Sequence, residues 1–274
     1  MPFSKDSPIA RVLELDSEHV KQNCLKLSRL GLLDLIDDIP KLFDSLRREF
    51  ETGTPSPEAP VSGEGVIELP WDFVLKVLML QSALAQYLHA VTHLLRGHSL
   101  EIFGHLRTMV ENAGVAYLAF TSPSIADSYI EGGKEYRDQT KSSKILPKTD
   151  PLTNQLNEDF AVASKIFHSN FMSLAGKIRT SVRHTDTGGT FENAMDYYDD
   201  DAEHGRFYLR HALWLLAVSA RTLRVLAASC AVPTDALLYT RIEHFERAAA
   251  ARWQAIGPKT FPKTWRRHFD KDAT

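Results

Sequence analysis

Residues 71–96, WDFVLKVLMLQSALAQYLHAVTHLLR, decide the fold class. Val77, Leu80, Leu84, Leu88, Val91 and Leu95 recur at three- and four-residue intervals, the period of one helix face, with His89 and His93 near the opposite side. The same period continues through LEIFGHLRTMVENAGVAYLAF, where Ser99 stands at the cap position and Phe103, Leu106, Val110, Ala113 and Tyr117 form the apolar stripe. TSPSI then gives a cap-and-proline start for a shorter helix through YIEGGKEYR, and Asp150 with Pro151 gives another. From there Leu156, Phe160, Ala163, Phe167, Phe171, Leu174 and Ile178 predict a helix running to about His184, where TDTGGT ends it.

The acidic segment MDYYDDDAEH leads into FYLRHALWLLAVSARTLRVLAASC. Pro233 stops that helix, and Thr234 or Asp235 caps the last one, ALLYTRIEHFERAAAARWQAI. No stretch alternates like a strand between hairpin turns, and no internal repeat is present. The expected fold is all-α, a bundle of about five long helices.

Upstream, Ser7 and Pro8 start a helical pattern that breaks at Gly31, and Pro40 marks a second break or start. From Thr52, TGTPSPEAPVSGEG is dense in Pro, Gly and Ser and has no apolar period, so it reads as a linker. The expected organisation is a helical arm over residues 1–51, a linker over 52–69, the bundle over 70–256 and a basic, aromatic tail over 257–274.

With 43% hydrophobic residues and a net charge of −3, the chain has the composition of an ordinary globular protein and no general attraction to phosphate backbones. The first twenty residues hold no apolar run of signal-peptide type, so a cytoplasmic location is expected. Arg221 and Arg224 interrupt the most apolar run, which reads as a buried helix; no membrane association is expected. Cys24 and Cys230 lie far apart, without zinc or redox spacing.

Candidate chemistry is sparse. Arg179 and His184 bracket RTSVRH, and on a straight helix a five-residue offset turns them about 140° apart. Such a pair meets one phosphate only if the helix unwinds or two chains contribute one residue each; otherwise Arg179, Arg183 and His184 form a basic helix C-terminus. Arg206 and His211 repeat the spacing.

Arg107 and Glu111 lie one turn apart beside an apolar stripe, suited to an ion pair or a pocket floor. His89 with His93, and Glu101 with His105, have the one-turn spacing of metal ligands, but HExxH and the repeated Glu-x-x-His of di-iron bundles are missing; no metal or cofactor is expected. Asp199, Asp200, Asp201 and Glu203 lack calcium-loop spacing and suit a helix start. In the tail, Lys259, Lys263, Arg266 and Arg267 surround Phe261, Trp265 and Phe269, a composition for docking on the bundle or for single-strand binding.

The helix carrying LRTMVE, the proline-started helix after it and a later segment ending SVRH together resemble bacterial helical proteins related to the HEPN superfamily, over roughly residues 70–230. The resemblance maps an arginine–glutamate pair onto Arg107 and Glu111, and a serine and terminal histidine onto Ser181 and His184. It implies a homodimer with a possible protein or RNA partner. In active members an arginine, a polar residue and a histidine form a metal-independent ribonuclease site across the dimer interface; here Thr180 replaces the usual Asn, Asp or His after Arg179. The expected function is therefore a binding or accessory module whose inter-helix pocket is lined by Arg107, Glu111 and His184. The alternative is a ribonuclease using Arg179 and His184.

Overall fold

The computed structural model describes residues 8–53, 70–98, 100–122, 124, 128–129, 145–167, 178–185, 188–195 and 201–256. Seven helices lie among them: α1 (Pro8–Arg29), α2 (Leu33–Gly53), α3 (Trp71–Arg96), α4 (Ile102–Thr121), α5 (Pro151–Phe167), α6 (Asp201–Ser229) and α7 (Leu237–Ile256). The helical class is as expected, but the count is seven and not about five. One antiparallel ribbon, β1 (Ile178–Thr185) and β2 (Gly188–Met195), stands between α5 and α6.

That ribbon corrects the expected helix through His184. Arg179 and His184 are instead register positions opposite Ala194 and Gly189. The physical reason is legible afterwards: Ile178, Thr180, Val182 and Thr185 are β-branched, and TDTGG has the composition of a hairpin turn. The expected continuation over Phe171 and Leu174 lies outside the described residues. So do most of the linker, the tail with its aromatic and basic residues, the helix through YIEGGKEYR, Ser99, and Asp199 with Asp200.

Helix ends follow a shared local chemistry. Gly31 and Gly97 adopt positive φ (64° and 82°) just past α1 and α3, where a side chain would be strained. In both, the next amide reaches back to a carbonyl in the last turn in the closing motif: Leu32 N–H to Leu27 O at 2.9 Å and His98 N–H to His93 O at 2.9 Å. Ala231 closes α6 likewise at φ 52°. The start of α5 is the expected Asp150–Pro151 pair, with Asp150 Oδ1 accepting from Leu152 N–H at 2.8 Å. Pro40 corrects its expected role, for it lies inside the continuous helix α2.

One hydrophobic core joins residues from all seven helices. α4 lies against α3, α5 and α6, burying Phe103, Leu106, Met109, Val110, Ala113 and Ala116. The N-terminal helices belong to the same core: α2 contributes Ile36, Ile39, Leu42, Phe43 and Leu46, packs on α6 and α7, and receives the Tyr87 hydroxyl of α3 on Ile36 O at 2.7 Å.

The expected core stripe of α3 is displaced. Leu75, Met79, Leu80, Ala83, Tyr87, Ala90 and Leu94 are buried, while Val77, Leu84, Val91 and Leu95 are half-buried and Leu88 is exposed. The small residues Ala83 and Ala90 sit on this contact face, where they let neighbouring backbones approach.

Candidate functional site

The turn after α3 sets up the site. With Gly97 reversing the chain, α4 runs back antiparallel against α3, so polar residues from the last turns of one helix face those from the first turns of the other. His89 stacks on His105 with ring centroids 5.4 Å apart, His93 stacks on His105 at 5.2 Å, and His98 lies 6.2 Å from His93. The one-turn spacings in the sequence thus become a row of imidazoles between two helices.

Beside this row a cleft of about 410 Å³ is lined by Gln86 and His93 of α3, by Glu101, and by His105, Arg107 and Glu111 of α4, among others. Arg107 Nη2 reaches Glu111 Oε1 at 3.4 Å, and the guanidinium lies over the Phe160 ring of α5 at 5.3 Å. At 3.4 Å the contact with Glu111 is a long hydrogen bond. The cation–π contact with Phe160 uses none of the guanidinium's N–H donors.

Burial, the largest cause, holds both His93 and His105 below the usual imidazole range, and the neighbouring imidazoles push the same way for each. Both rings are therefore neutral at pH 7 and can accept as well as donate. His105 Nδ1 lies 2.8 Å from Gln86 Oε1, a carbonyl-type acceptor, which places the proton on Nδ1 and leaves Nε2 as the acceptor. His93 Nδ1 is buried without a hydrogen-bond partner among the described residues. At pH 7 the cleft thus offers one guanidinium, two carboxylates and imidazole acceptors.

Arg107 and Glu111 both line this cleft. His184 is in β1, and its side chain lies outside the described residues. Arg179 and His184 are five positions apart along β1, so their Cα atoms lie about 17 Å from each other. His89, His93, Glu101 and His105 do come together, but their rings stack, and no three His, Cys, Asp or Glu side chains among the described residues are placed to hold a metal ion. Sequence reading missed Gln86: a single glutamine within an apolar helix carries no motif, and only its distance to His105 shows its role.

A second concavity of about 460 Å³ runs between α6 and α7, where Ala217, Ala220, Ala249 and Trp253 form an apolar floor and Arg224 pairs with Glu246 through two hydrogen bonds of 2.7 and 2.5 Å. That bidentate pair is closed on itself, whereas Arg107 and Glu111 of the α3–α4 cleft meet only at 3.4 Å.

No family model, no curated protein and no solved structure matches this chain.

Proposed function

We propose that this chain is a cytoplasmic, homodimeric binding or accessory module that holds a polar ligand in the cleft between α3 and α4. The observation that carries the reading is the convergence of Arg107, Glu111, Glu101, His93 and His105 on one partly enclosed space. Charged side chains and neutral imidazoles that line one cleft suit a ligand that exchanges several hydrogen bonds at once. A general acid or base also needs a substrate proton within reach and a partner that stabilises developing charge. Arg107 is the single cation in the described lining, and it is balanced by two carboxylates.

His184 belongs to β1 and its side chain lies outside the described residues, so the site is proposed on the residues of α3 and α4. The HEPN-type ribonuclease is the alternative, and it requires Arg179 of one copy to approach His184 of another at a single phosphate.

Incubating the purified protein with structured and single-stranded RNA in chelator separates the two readings. Intact RNA is expected, from wild type and from His184→Ala alike. Cleavage by wild type that disappears in His184→Ala, with the circular dichroism spectrum unchanged, would replace the binding module with the ribonuclease.

A further inference from the structure

Among the described residues, α3 carries an exposed apolar face. It is long and apolar enough by composition to cross a membrane, as is Leu209–Ser229 in α6; the apolar window of the α6 segment is 78% buried, whereas that of α3 is only 33% buried. Trp71, Leu78 and Leu88 are 52%, 50% and 47% exposed. On a helix of 100° per residue these side chains lie about 120–140° from the mean direction of the buried row Leu75, Met79, Leu80, Ala83, Tyr87, Ala90 and Leu94. They are not scattered apolar residues of the ordinary surface kind, because they fall on one regular seam.

The seam has heptad spacing. Positions 71, 78, 85 and 92 repeat every seven residues, and positions 74, 81, 88 and 95 lie between them in the three-four alternation of a coiled-coil face. They read Trp71, Val74, Leu78, Gln81, Ala85, Leu88, Thr92 and Leu95; Val74 and Leu95 are half-buried, Leu95 packing partly on the core, and the other six are exposed. From Val77 through Leu95 the helix carries no Asp, Glu, Lys or Arg, so two copies of this stretch meet without like-charge repulsion.

The order of residues along the seam is close to palindromic in shape. A two-fold axis at position 83 sets Trp71 against Leu95 of a second copy, Val74 against Thr92, Leu78 against Leu88, and Gln81 against Ala85. In that register large apolar groups oppose large apolar groups and β-branched groups oppose each other. At the centre the small Ala85 leaves room for the longer Gln81 side chain of the other copy, and the pairing occurs twice about the axis. The two Gln81 positions are then about 6 Å apart along the helices, close enough for their amides to reach each other. A parallel pairing sets each residue against its own copy, with Trp71 on Trp71, Gln81 on Gln81 and an underfilled layer of Ala85 on Ala85. An isologous contact needs self-complementarity of the antiparallel kind, and a central polar side chain fixes register.

From this we infer that the outer face of α3 is the contact surface of the homodimer, joined antiparallel about a two-fold axis near Ala83. The inference rests on the homodimer of the preceding section and adds its interface, register and polarity. The seam runs about 36 Å at 1.5 Å per residue. His89 is exposed at its edge and stacks on His105, so the two clefts of the dimer open on either side of the shared helix pair.

Light scattering after size exclusion, with engineered cysteines, tests this. Wild type at micromolar concentration should run as a dimer and Leu88→Glu as a monomer with unchanged helical content, since the position is exposed. In a Cys24→Ser background, Gln81→Cys combined with Ala85→Cys should oxidise to a covalent dimer. Leu78→Cys alone should not, because its antiparallel counterpart is position 88. A monomeric wild type overturns both the homodimer and this interface. A dimer that survives Leu88→Glu, or that forms no Gln81→Cys/Ala85→Cys cross-link, overturns the interface alone. A monomer that binds phosphatidylcholine vesicles through the same face, and loses them on Leu88→Glu, assigns the seam to lipid and overturns it as well.

Discussion

Replacing Asp159 with alanine should destabilise the protein by about 3–5 kcal/mol, the usual cost of stranding one member of a buried ion pair. The Asp159 side chain is only 2% exposed; it accepts from Arg221 Nε at 2.8 Å and Nη2 at 3.0 Å, and from the Trp214 indole at 3.2 Å. These contacts tie α5 to α6 at a place where both are packed against α4. Without the carboxylate, the half-buried guanidinium has no bidentate acceptor and the indole N–H loses its partner. Urea unfolding of Asp159→Ala provides the measurement. The double variant Asp159→Leu/Arg221→Met should recover most of the loss, because the penalty lies in the unmatched charge. A single variant that loses less than about 1 kcal/mol would show that water reaches the pair, contrary to its burial.

Acid should act on the core through His211. This ring is buried in α6 and meets Phe103 edge-on at 4.9 Å; burial, with Arg210 adding to it, pushes its pKa down to about 3. In the unfolded chain the same imidazole takes its proton near 6.5. Between those values the unfolded state binds a proton that the folded state refuses, so the contribution is fully present above pH 6.5 and is lost as the pH falls toward 3. At about 1.4 kcal/mol per pH unit the loss reaches roughly 3 kcal/mol at pH 4. His211→Leu removes this titration. Its stability relative to wild type should therefore improve by that amount between pH 7 and pH 4 in paired urea melts. An identical difference at both pH values would place the acid sensitivity elsewhere.

The helical class was legible because long apolar periods dominate the chain, and Asp150–Pro151 and Gly31 mark boundaries with chemistry that tertiary packing does not override. The site was half legible. One-turn pairs such as Arg107 with Glu111 and Glu101 with His105 show which side chains share a face, and only the fold shows that both pairs face His93. The ribbon escaped because apolar spacing from Leu156 to Ile178 mimics a helix across its boundary, while β-branched residues and TDTGG carry the weaker local signal. On α3, two faces are apolar, so hydrophobicity could not say which is core. Ala83, Ala90 and Tyr87 take the inside, and a row holding Leu78 and Leu88 is left outside.

The assignment of binding to the α3–α4 cleft is tested most directly by amide chemical-shift mapping of the labelled protein against a set of small carboxylates, phosphate monoesters, amines and polyols. The largest shifts should fall on residues 86–111, around Gln86, His93, His105 and Arg107, and they should vanish in Arg107→Ala with Glu111→Gln while the rest of the spectrum is retained. Shifts concentrated on α6 and α7 around Trp253, or no saturable shift from any compound, would contradict it.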